Sequence, residues 1–272
     1  MPRARVTAPA APVAPVAAPA RALFVSDVHL SAAHPETVAA FFRFLERARN
    51  ERLDALYVLG DLFDFWAGDD DLGEALNRRV ADELAVFART GVAIALMTGN
   101  RDLLLGPRFA GVVGARLLPD PSVISVAGRA YLLSHGDTLC TDDEAYQAFR
   151  ETVRNPAWQK DFLARPLAER RATIAGFRTA SEAAKSTKSE AIMDVNGEAV
   201  RQLLLEHAGT VLIHGHTHRP GREALTIMGA LRERWVLPDW DARAEPPRGG
   251  GLLADAAGLA WVGAATAGSW GG

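Results

Sequence analysis

Residues 22–29 read ALFVSDVH, an apolar run that ends in an aspartate and a histidine. The run predicts a buried strand, and alternate residues of an extended chain face the same way, so Asp27 and His29 would share one side of the strand end. Asp, His and Asn are ligands that suit divalent cations. Four later blocks repeat an apolar run followed by such side chains: Gly60-Asp61, Gly99-Asn100-Arg101-Asp102, Ser134-His135-Gly136-Asp137 and His214-Gly215-His216-Thr217-His218.

The segments between the first three blocks predict the sheet that would bring these side chains together. Helices are expected from about Pro35 to Arg49 and from Leu76 to Ala88, between strands at 54–59 and 92–97. A βαβαβ alternation is typical of a mostly parallel, buried sheet with ligands at the carboxyl ends of its strands. The blocks therefore predict one site for a pair of divalent cations, which would activate water and clamp the phosphoryl oxygens that it attacks.

Length and composition indicate a single large α/β domain. The chain has 272 residues and 49% hydrophobic content, enough to bury a sizeable core. Residues 1–21, rich in Ala and Pro, predict a disordered tail, and residues 22–272 one domain that carries an inserted helical cap at about 142–206. The net charge of -3 argues against nucleic acid as a partner, and the single cysteine, Cys140, favours a cytoplasmic setting. No apolar run approaches the ~20 residues that span a bilayer.

A single block would be weak evidence, because Asp and Asn are common caps and turn formers and an isolated His is usually structural. Five ordered blocks at strand ends are not explained in that way. Gly215 would allow close packing beside the metals. His34 and His207 lack such a context and are interpreted as structural. His218 lies one alternation beyond His214 and His216, so we expect it to support the ligands rather than to bind metal.

The ordered blocks resemble the signature of the calcineurin-like metallophosphoesterases, D-x-H, G-D, G-N-x-[DE], H-G and G-H-x-H, over residues 22 to about 220. The resemblance implies a core of two packed mixed β-sheets flanked by helices. It also implies two metal ions with Asp61 as the bridge between them. One ion would take Asp27, His29, Asp61 and His216, and the other would take Asp61, Asn100, His135 and His214.

Arg101 follows Asn100 at the position where many members of that superfamily carry a histidine. Arginine keeps its proton in proteins, so it cannot act as a general acid, but it can hold a phosphate bidentately. A site without an acid suits a leaving group that departs unprotonated, such as one half of a pyrophosphate. The alternative is that Arg101 only pairs with Asp102 or another acid.

Longer segments, including residues 60–71, 135–150 and 191–195, resemble the UDP-2,3-diacylglucosamine diphosphatases of the lipid A pathway. That family uses Mn²⁺, with Mg²⁺ or another divalent cation also suited to such ligands. It attacks the α-phosphorus with water, giving UMP and 2,3-diacylglucosamine 1-phosphate, at the cytoplasmic face of the bacterial inner membrane. The resemblance implies catalytic roles for Asn100, Arg101 and His214, and substrate contacts at Asn100, Arg101, Asp143, Ser181, Lys185, Lys188 and His214.

The cap has a composition that fits a lipid-linked UDP-sugar. Between Ala145 and Ser189 there are nine Lys or Arg against four acids, which predicts a local basic surface for an anionic inner membrane. Interleaved apolar residues from Phe149 to Phe177 would line a groove for acyl chains. The alternative is a solvated helical pair packed on the core. For the whole chain, a nucleotide pyrophosphatase or phosphodiesterase acting on a soluble substrate and a silent scaffold remain alternatives, and no obligate protein partner is evident.

Overall fold

The computed structural model describes residues 18–185, 192, 194–207 and 211–264, and over residues 180–185 it describes the backbone alone. Within this part of the chain, helices flank two β-sheets. The strands are β1 (Ala22–Val25), β2 (Ala55–Leu59), β3 (Ala93–Met97), β4 (Ala115–Leu117), β5 (Ser122–Val126), β6 (Arg129–Leu133), β7 (Val211–His214), β8 (Gly221–Ile227), β9 (Ala230–Val236), β10 (Gly250–Asp255) and β11 (Gly258–Gly263). The α-helices are α1 (Pro35–Ala48), α2 (Ala75–Ala88), α3 (Pro107–Val113), α4 (Glu144–Arg154), α5 (Pro156–Leu163), α6 (Leu167–Lys185) and α7 (Gly197–Glu206).

The first sheet has the order β11-β10-β1-β2-β3-β4, and β1 to β4 run parallel. The helices α1 and α2 connect β1, β2 and β3, so the predicted βαβαβ alternation is confirmed. The sequence did not predict α3 or β4. β4 has only three residues, two of them exposed, so it lacks the apolar run by which a buried strand is recognised.

The second sheet has the order β5-β6-β7-β9-β8, with parallel pairs at β6-β7 and β7-β9. Its two hairpins, β5-β6 and β8-β9, are antiparallel. The turn of the first hairpin is Ala127-Gly128, with φ of 49° and 78°. A two-residue hairpin turn whose twist matches that of the flanking strands requires positive φ at both central residues. Both sheets mix parallel and antiparallel pairs, as predicted.

The continuous apolar runs of β1 to β3 are explained by burial on both faces. Leu23, Val25 and Leu56 point to the layer formed by α1 and α2. Their neighbours, such as Phe24 and Tyr57, point to the second sheet, where they form a separate cluster. Alternate residues of a strand face opposite sides, so each strand supplies two cores. The predicted arrangement of two packed mixed sheets flanked by helices is confirmed.

The segment predicted as a cap, about 142–206, divides into two parts. Its last helix, α7, packs through Val200 and Leu204 against Leu132 and Leu212 of the second sheet and so belongs to the layered core. We therefore use the name helical cap for α4, α5 and α6 only. None of the described helices combines the length and the apolar character needed to cross a membrane.

The predicted tail lies mostly outside the described residues, which begin at residue 18. The backbone N–H groups of Ala20 and Arg21 both donate to Asp54 Oδ2 at 2.8 Å. The carbonyl of Pro19 accepts from Ala127 at 2.8 Å. The last residues of that segment therefore attach to the domain directly before β1.

Candidate metal centre

The five blocks come together where strands of both sheets end. His135 Nε2 lies 3.0 Å from Asn100 Oδ1 and 3.8 Å from Asp61 Oδ2. His29 Nε2 lies 3.8 Å from the same Asp61 oxygen and 4.0 Å from Asp27 Oδ1. Parallel strands present their carboxyl ends at one edge of a sheet, and two packed sheets bring two such edges side by side. Asp61 stands between the side chains that come from either sheet.

The structure adds His218 to this cluster. Its Nε2 lies 3.2 Å from His29 Nε2 and 3.5 Å from Asp27 Oδ1. Among the described residues, the groups of acid, His and Cys side chains close enough to share an ion are Asp27 with His29 and His218, and Asp27 with Asp61 and His135. His218 was expected to support the ligands, and these distances make it a candidate ligand as well.

His214 and His216 occupy different environments. His216 Nδ1 lies 2.9 Å from Asn100 Oδ1, the oxygen that His135 also contacts. His214 is the last residue of β7 and fully buried; its Nδ1 lies 2.9 Å from the Gly215 carbonyl, and its Nε2 has no hydrogen-bond partner among the described residues. The contacts thus favour His216 and His218 as the ligand pair, one alternation beyond the predicted His214 and His216. The sequence carried this signal, because the two histidine positions of the G-H-x-H signature fall on His216 and His218.

Several candidate ligands have left-handed backbone conformations. Asp27, His29 and Asp61 have φ of 52°, 51° and 53°, and His216 and His218 have φ of 69° and 55°. Such values are uncommon for residues with a side chain and cost of order 1–3 kcal/mol each. This strain is concentrated where the chain turns sharply at the strand ends, which is typical of functional sites.

Glycines permit the close approach of the strand ends. A Cβ atom at Gly99 would overlap Asp61 Oδ1, and one at Gly215 would overlap the side chains of Ser26 and Asp27. The close packing predicted for Gly215 is confirmed. Any side chain at either position would displace a carboxylate of the cluster.

The electrostatics of the cluster fit a divalent cation. Burial lowers the pKa of His29 and of His216 to about 3 each, so both imidazoles are neutral donors at neutral pH. Burial raises the pKa of Asp61 to about 7, and the neighbouring carboxylates of Asp102 and Asp27 add to this rise. Burial would lower the pKa of His135 as well, but the carboxylates of Asp61 and Asp137 raise it to about 9. The neutral imidazoles of His29 and His216 and the crowded buried carboxylates form a donor set whose negative charge a cation would neutralise.

Asp102 connects two of the strand ends. Its buried carboxylate accepts hydrogen bonds from the backbone of Gly99 at 2.8 Å, Asp61 at 3.2 Å and Leu62 at 2.8 Å. Arg101 donates its own backbone N–H to Asp61 Oδ1 at 2.8 Å. Within the described part of the chain, no ion pair joins the Arg101 guanidinium to an acid. The alternative that Arg101 merely pairs with Asp102 is therefore not supported.

Asp239 is a neighbour of the cluster that the sequence analysis did not identify. Its Oδ2 lies 3.8 Å from His218 Nδ1, and it accepts from Arg248 Nη2 at 2.9 Å. The next residue, Trp240, donates its backbone N–H to the Asp27 carbonyl at 3.1 Å. The sequence contained a signal for this residue, because Asp239 follows the end of β9 as Asp27 and Asp61 follow β1 and β2. It was overlooked because no histidine or glycine accompanies it.

A cavity of about 600 Å³ connects the cluster to the helical cap. At one end it is lined by Asn100, Arg101, Asp143, His216 and His218. Of the other predicted substrate contacts, Ser181 and Lys185 fall on α6 where only the backbone is described, and Lys188 lies outside the described residues. At the other end the lining is apolar and comes from α4, α5 and α6: Phe149, Val153, Trp158, Phe162, Ile174 and Phe177.

Most arginines of the cap pair with acids of the core, although the composition of the cap suggested a free basic surface. Arg170, which is 2% exposed, pairs with Asp70 and also donates to the Ala67 carbonyl. Further pairs to acids of the core are Arg171 with Asp71, Arg178 with Asp64, and Arg150 and Arg154 with Asp137. Much of the positive excess is therefore used to attach the cap to the segments that follow the metal-site blocks.

Comparison with known proteins agrees with this geometry. A family model described as calcineurin-like phosphoesterase matches residues 20–220. Two curated proteins similar to this chain are named UDP-2,3-diacylglucosamine hydrolase. The one from Aromatoleum aromaticum is 53% identical over 219 residues, covering 80% of this chain and 89% of that protein. The one from Bordetella pertussis is 48% identical over 236 residues, covering 86% and 91%.

Among solved structures, wild-type Vps29 complexed with Zn²⁺ from Entamoeba histolytica is similar at 15% identity and a TM-score of 0.41, covering 86% of this chain and 84% of that chain. The family match includes all five blocks and most strands of both sheets. The resemblance that the blocks indicated is thus confirmed. The chain belongs to the calcineurin-like phosphoesterase family.

Proposed function

We propose that this chain hydrolyses the pyrophosphate bond of UDP-2,3-diacylglucosamine, giving UMP and 2,3-diacylglucosamine 1-phosphate for lipid A synthesis. The observation that carries the proposal is a continuous cavity that begins at Asn100, His216 and His218 and ends among the aromatic side chains of the cap. A polar reaction site joined to an apolar chamber suits a substrate with a charged diphosphate and acyl chains. The names of the similar proteins support the same substrate.

The proposed cofactor is a pair of divalent cations, Mn²⁺ in the first instance. When bound, they would lower the pKa of a water molecule and neutralise charge on the phosphoryl oxygens. The contacts within the cluster favour one assignment of the ligands. One ion would be held by Asp27, His29, Asp61 and His218, and the other by Asp61, Asn100, His135 and His216.

Asn100 and Arg101 would position the diphosphate. Both line the cavity beside the candidate ligands, and the Arg101 side chain is not occupied by an acid of the described chain. A guanidinium offers a fork of donors that matches two phosphate oxygens and stabilises charge that develops on them. The departing sugar phosphate needs no proton at neutral pH. An arginine can therefore stand where the hydrolysis of an alkyl ester would need a general acid. We propose attack at the α-phosphorus, as the resemblance to the diphosphatases of the lipid A pathway implies.

A peripheral place at the cytoplasmic face of the inner membrane is part of the proposal. The acyl chains must leave a bilayer to enter the cavity, and the cap exposes Phe149, Leu163 and Phe177. Exposed aromatic and aliphatic side chains beside a cavity favour contact with lipid. Asp143, Ser181, Lys185 and Lys188 remain proposed contacts to the sugar and phosphate.

The direct test compares turnover of the diacylated UDP-sugar with that of UDP-glucosamine lacking the chains, as UMP released with Mn²⁺ present. Each buried CH₂ contributes about 0.8 kcal/mol, so loss of the chains should lower kcat/KM by more than about 100-fold. Equal kcat/KM for both would overturn the lipid substrate and leave a pyrophosphatase for soluble nucleotides. In ¹⁸O water, label in UMP supports attack at the α-phosphorus, whereas label in the lipid phosphate would move it to the β-phosphorus.

A further inference from the structure

One stripe of α4 faces the metal centre, and its first residue, Tyr146, also lines the cavity. Tyr146, Arg150 and Arg154 follow one another at intervals of four residues and so share a face of the helix. The Tyr146 hydroxyl donates to Asp137 Oδ2 at 2.9 Å, and its ring stacks on His216 at 5.8 Å between ring centres. Arg150 Nε donates to the same Asp137 oxygen at 2.8 Å. Phe149 and Val153, on another face, line the cavity.

Arg154 reaches further than the other two, to the end of β3. Its Nη1 donates to Thr98 Oγ1 at 3.0 Å, and its Nη2 donates to the carbonyls of Thr98 at 3.2 Å and Gly99 at 2.9 Å. β3 ends at Met97, so these carbonyls lie beyond its ladder and need partners from elsewhere. The rigid guanidinium fork supplies donors for all three acceptors.

The peptide before Asn100 is thereby held from two sides. Asp102 accepts from the Gly99 N–H at 2.8 Å, and Arg154 donates to the Gly99 carbonyl. Asn100 Oδ1 then contacts both His135 and His216 at 3.0 and 2.9 Å. A shift of the Thr98-Gly99 backbone would move that oxygen away from both histidines, because the held Gly99 carbonyl belongs to the peptide bond that joins Gly99 to Asn100.

We infer that Arg154, a residue of the helical cap, is a positioning residue of the metal centre, because it fixes the Thr98-Gly99 backbone that carries Asn100. The cap then has two roles: it forms the wall of the lipid cavity, and it helps to order the metal centre. Arg154 does not line that cavity in the described structure, so its effect runs through Asn100 and not through the substrate. The inference rests on the proposed role of Asn100 as a ligand.

Arg150 offers a matched control on the same helix. Arg150 and Arg154 are similarly exposed, at 20% and 22%, and both pair with Asp137. Among the described contacts, only Arg154 continues to Thr98 and Gly99. A role limited to attaching the cap through Asp137 would give the same result for both substitutions.

The test titrates the metal-depleted full chain with Mn²⁺ by calorimetry and compares Arg154→Met with Arg150→Met. Outer-shell partners of metal ligands typically contribute 10–100-fold in affinity, so Arg154→Met should weaken the binding of Mn²⁺ at least about tenfold, and Arg150→Met by less than about threefold. Thr98→Val, which removes one acceptor only, should show a smaller loss that is not additive with Arg154→Met. Thr98→Val also tests the inference if Arg154→Met fails to fold.

Three results separate the possible failures. Wild-type affinity in both Arg154→Met and Thr98→Val, or equal losses in Arg154→Met and Arg150→Met, would overturn the inference. Asp61→Asn is the reference for the proposed centre. If it too binds Mn²⁺ like the wild type, the proposed centre itself is wrong; if it alone loses affinity, only the role of Arg154 is wrong.

Discussion

The metal centre and the helical cap are built in opposite ways. The centre consists of backbone turns with positive φ, glycines without room for a side chain, and carboxylates that are fully or nearly fully buried. The cap is attached through arginine side chains, and two of its aromatic residues, Phe149 and Phe177, remain exposed at 40% and 38%. The rigid region suits a reaction in which small displacements matter, and the adaptable region suits acyl chains. Substitutions in the centre should therefore cause abrupt losses, and those in the cap graded ones.

The largest effect is expected for Asp61→Ala. Asp61 Oδ2 lies 3.8 Å from both His29 and His135, so its loss removes the proposed bridge between the two ions. Turnover of the diacylated UDP-sugar at saturating Mn²⁺ should fall by about a thousandfold or more, since even one transition-state donor contributes 10²–10³-fold. Asp241→Ala, at a half-exposed acid outside the cluster, is the control. Unchanged turnover in Asp61→Ala would end the two-metal mechanism.

A single methyl group should distinguish the two regions. In Gly215→Ala the new Cβ would overlap Ser26 and Asp27, with an expected cost of about 1–3 kcal/mol and a loss of turnover of about 100-fold. In Gly176→Ala, on α6, the Cβ would meet no neighbour, and the helix should gain up to about 1 kcal/mol. Urea unfolding and UMP release measure both effects. Equal tolerance of the two substitutions would remove the contrast between a rigid centre and an adaptable cap.

A smaller loss is expected at Asp239, beside the centre. Asp239→Asn keeps the shape of the side chain but removes the charge near His218 Nδ1, so the affinity for Mn²⁺ should fall by about tenfold. The matched control is Asp241→Asn, because the Asp241 carboxylate lies 3.6 Å from the same Arg248 guanidinium. Calorimetric titration of the metal-depleted chain with Mn²⁺ measures the affinity of both variants. If both variants lose affinity equally, the effect comes from Arg248 and not from orientation of His218.

The mildest effect is expected in the cap. Phe177→Ala removes part of the apolar lining and the edge contact with Phe149, but nothing near the cluster. KM for the diacylated substrate should rise by roughly fivefold, and kcat should change less, because such contacts are equal in the ground and transition states. Steady-state kinetics on UMP release measures both constants. A fall in kcat comparable to that of Gly215→Ala would show that the cap is not adaptable.

Prediction from the sequence succeeded where local signals were strong. β1, β2 and β3 appear as uninterrupted apolar runs because helices cover one face and the second sheet covers the other. Asp27, Asp61 and Asn100 come shortly after three neighbouring parallel strands, so their convergence followed from strand order, whereas His135 joins them through the packing of the second sheet. β4 and α3 were missed because neither a three-residue edge strand nor a seven-residue helix produces a clear period.

The amino-acid sequence by itself determined the family, the layered α/β core and the edge at which polar side chains meet, because these depend on hydrophobic periodicity and on motifs of adjacent residues. Only the tertiary structure decided that His218 lies against Asp27 and His29, that Asp239 stands behind it, and that arginines of the cap are bound to core acids. The reason is physical. A charge count does not say which charges meet, and the exact residue at which a strand ends depends on packing between elements far apart in the chain.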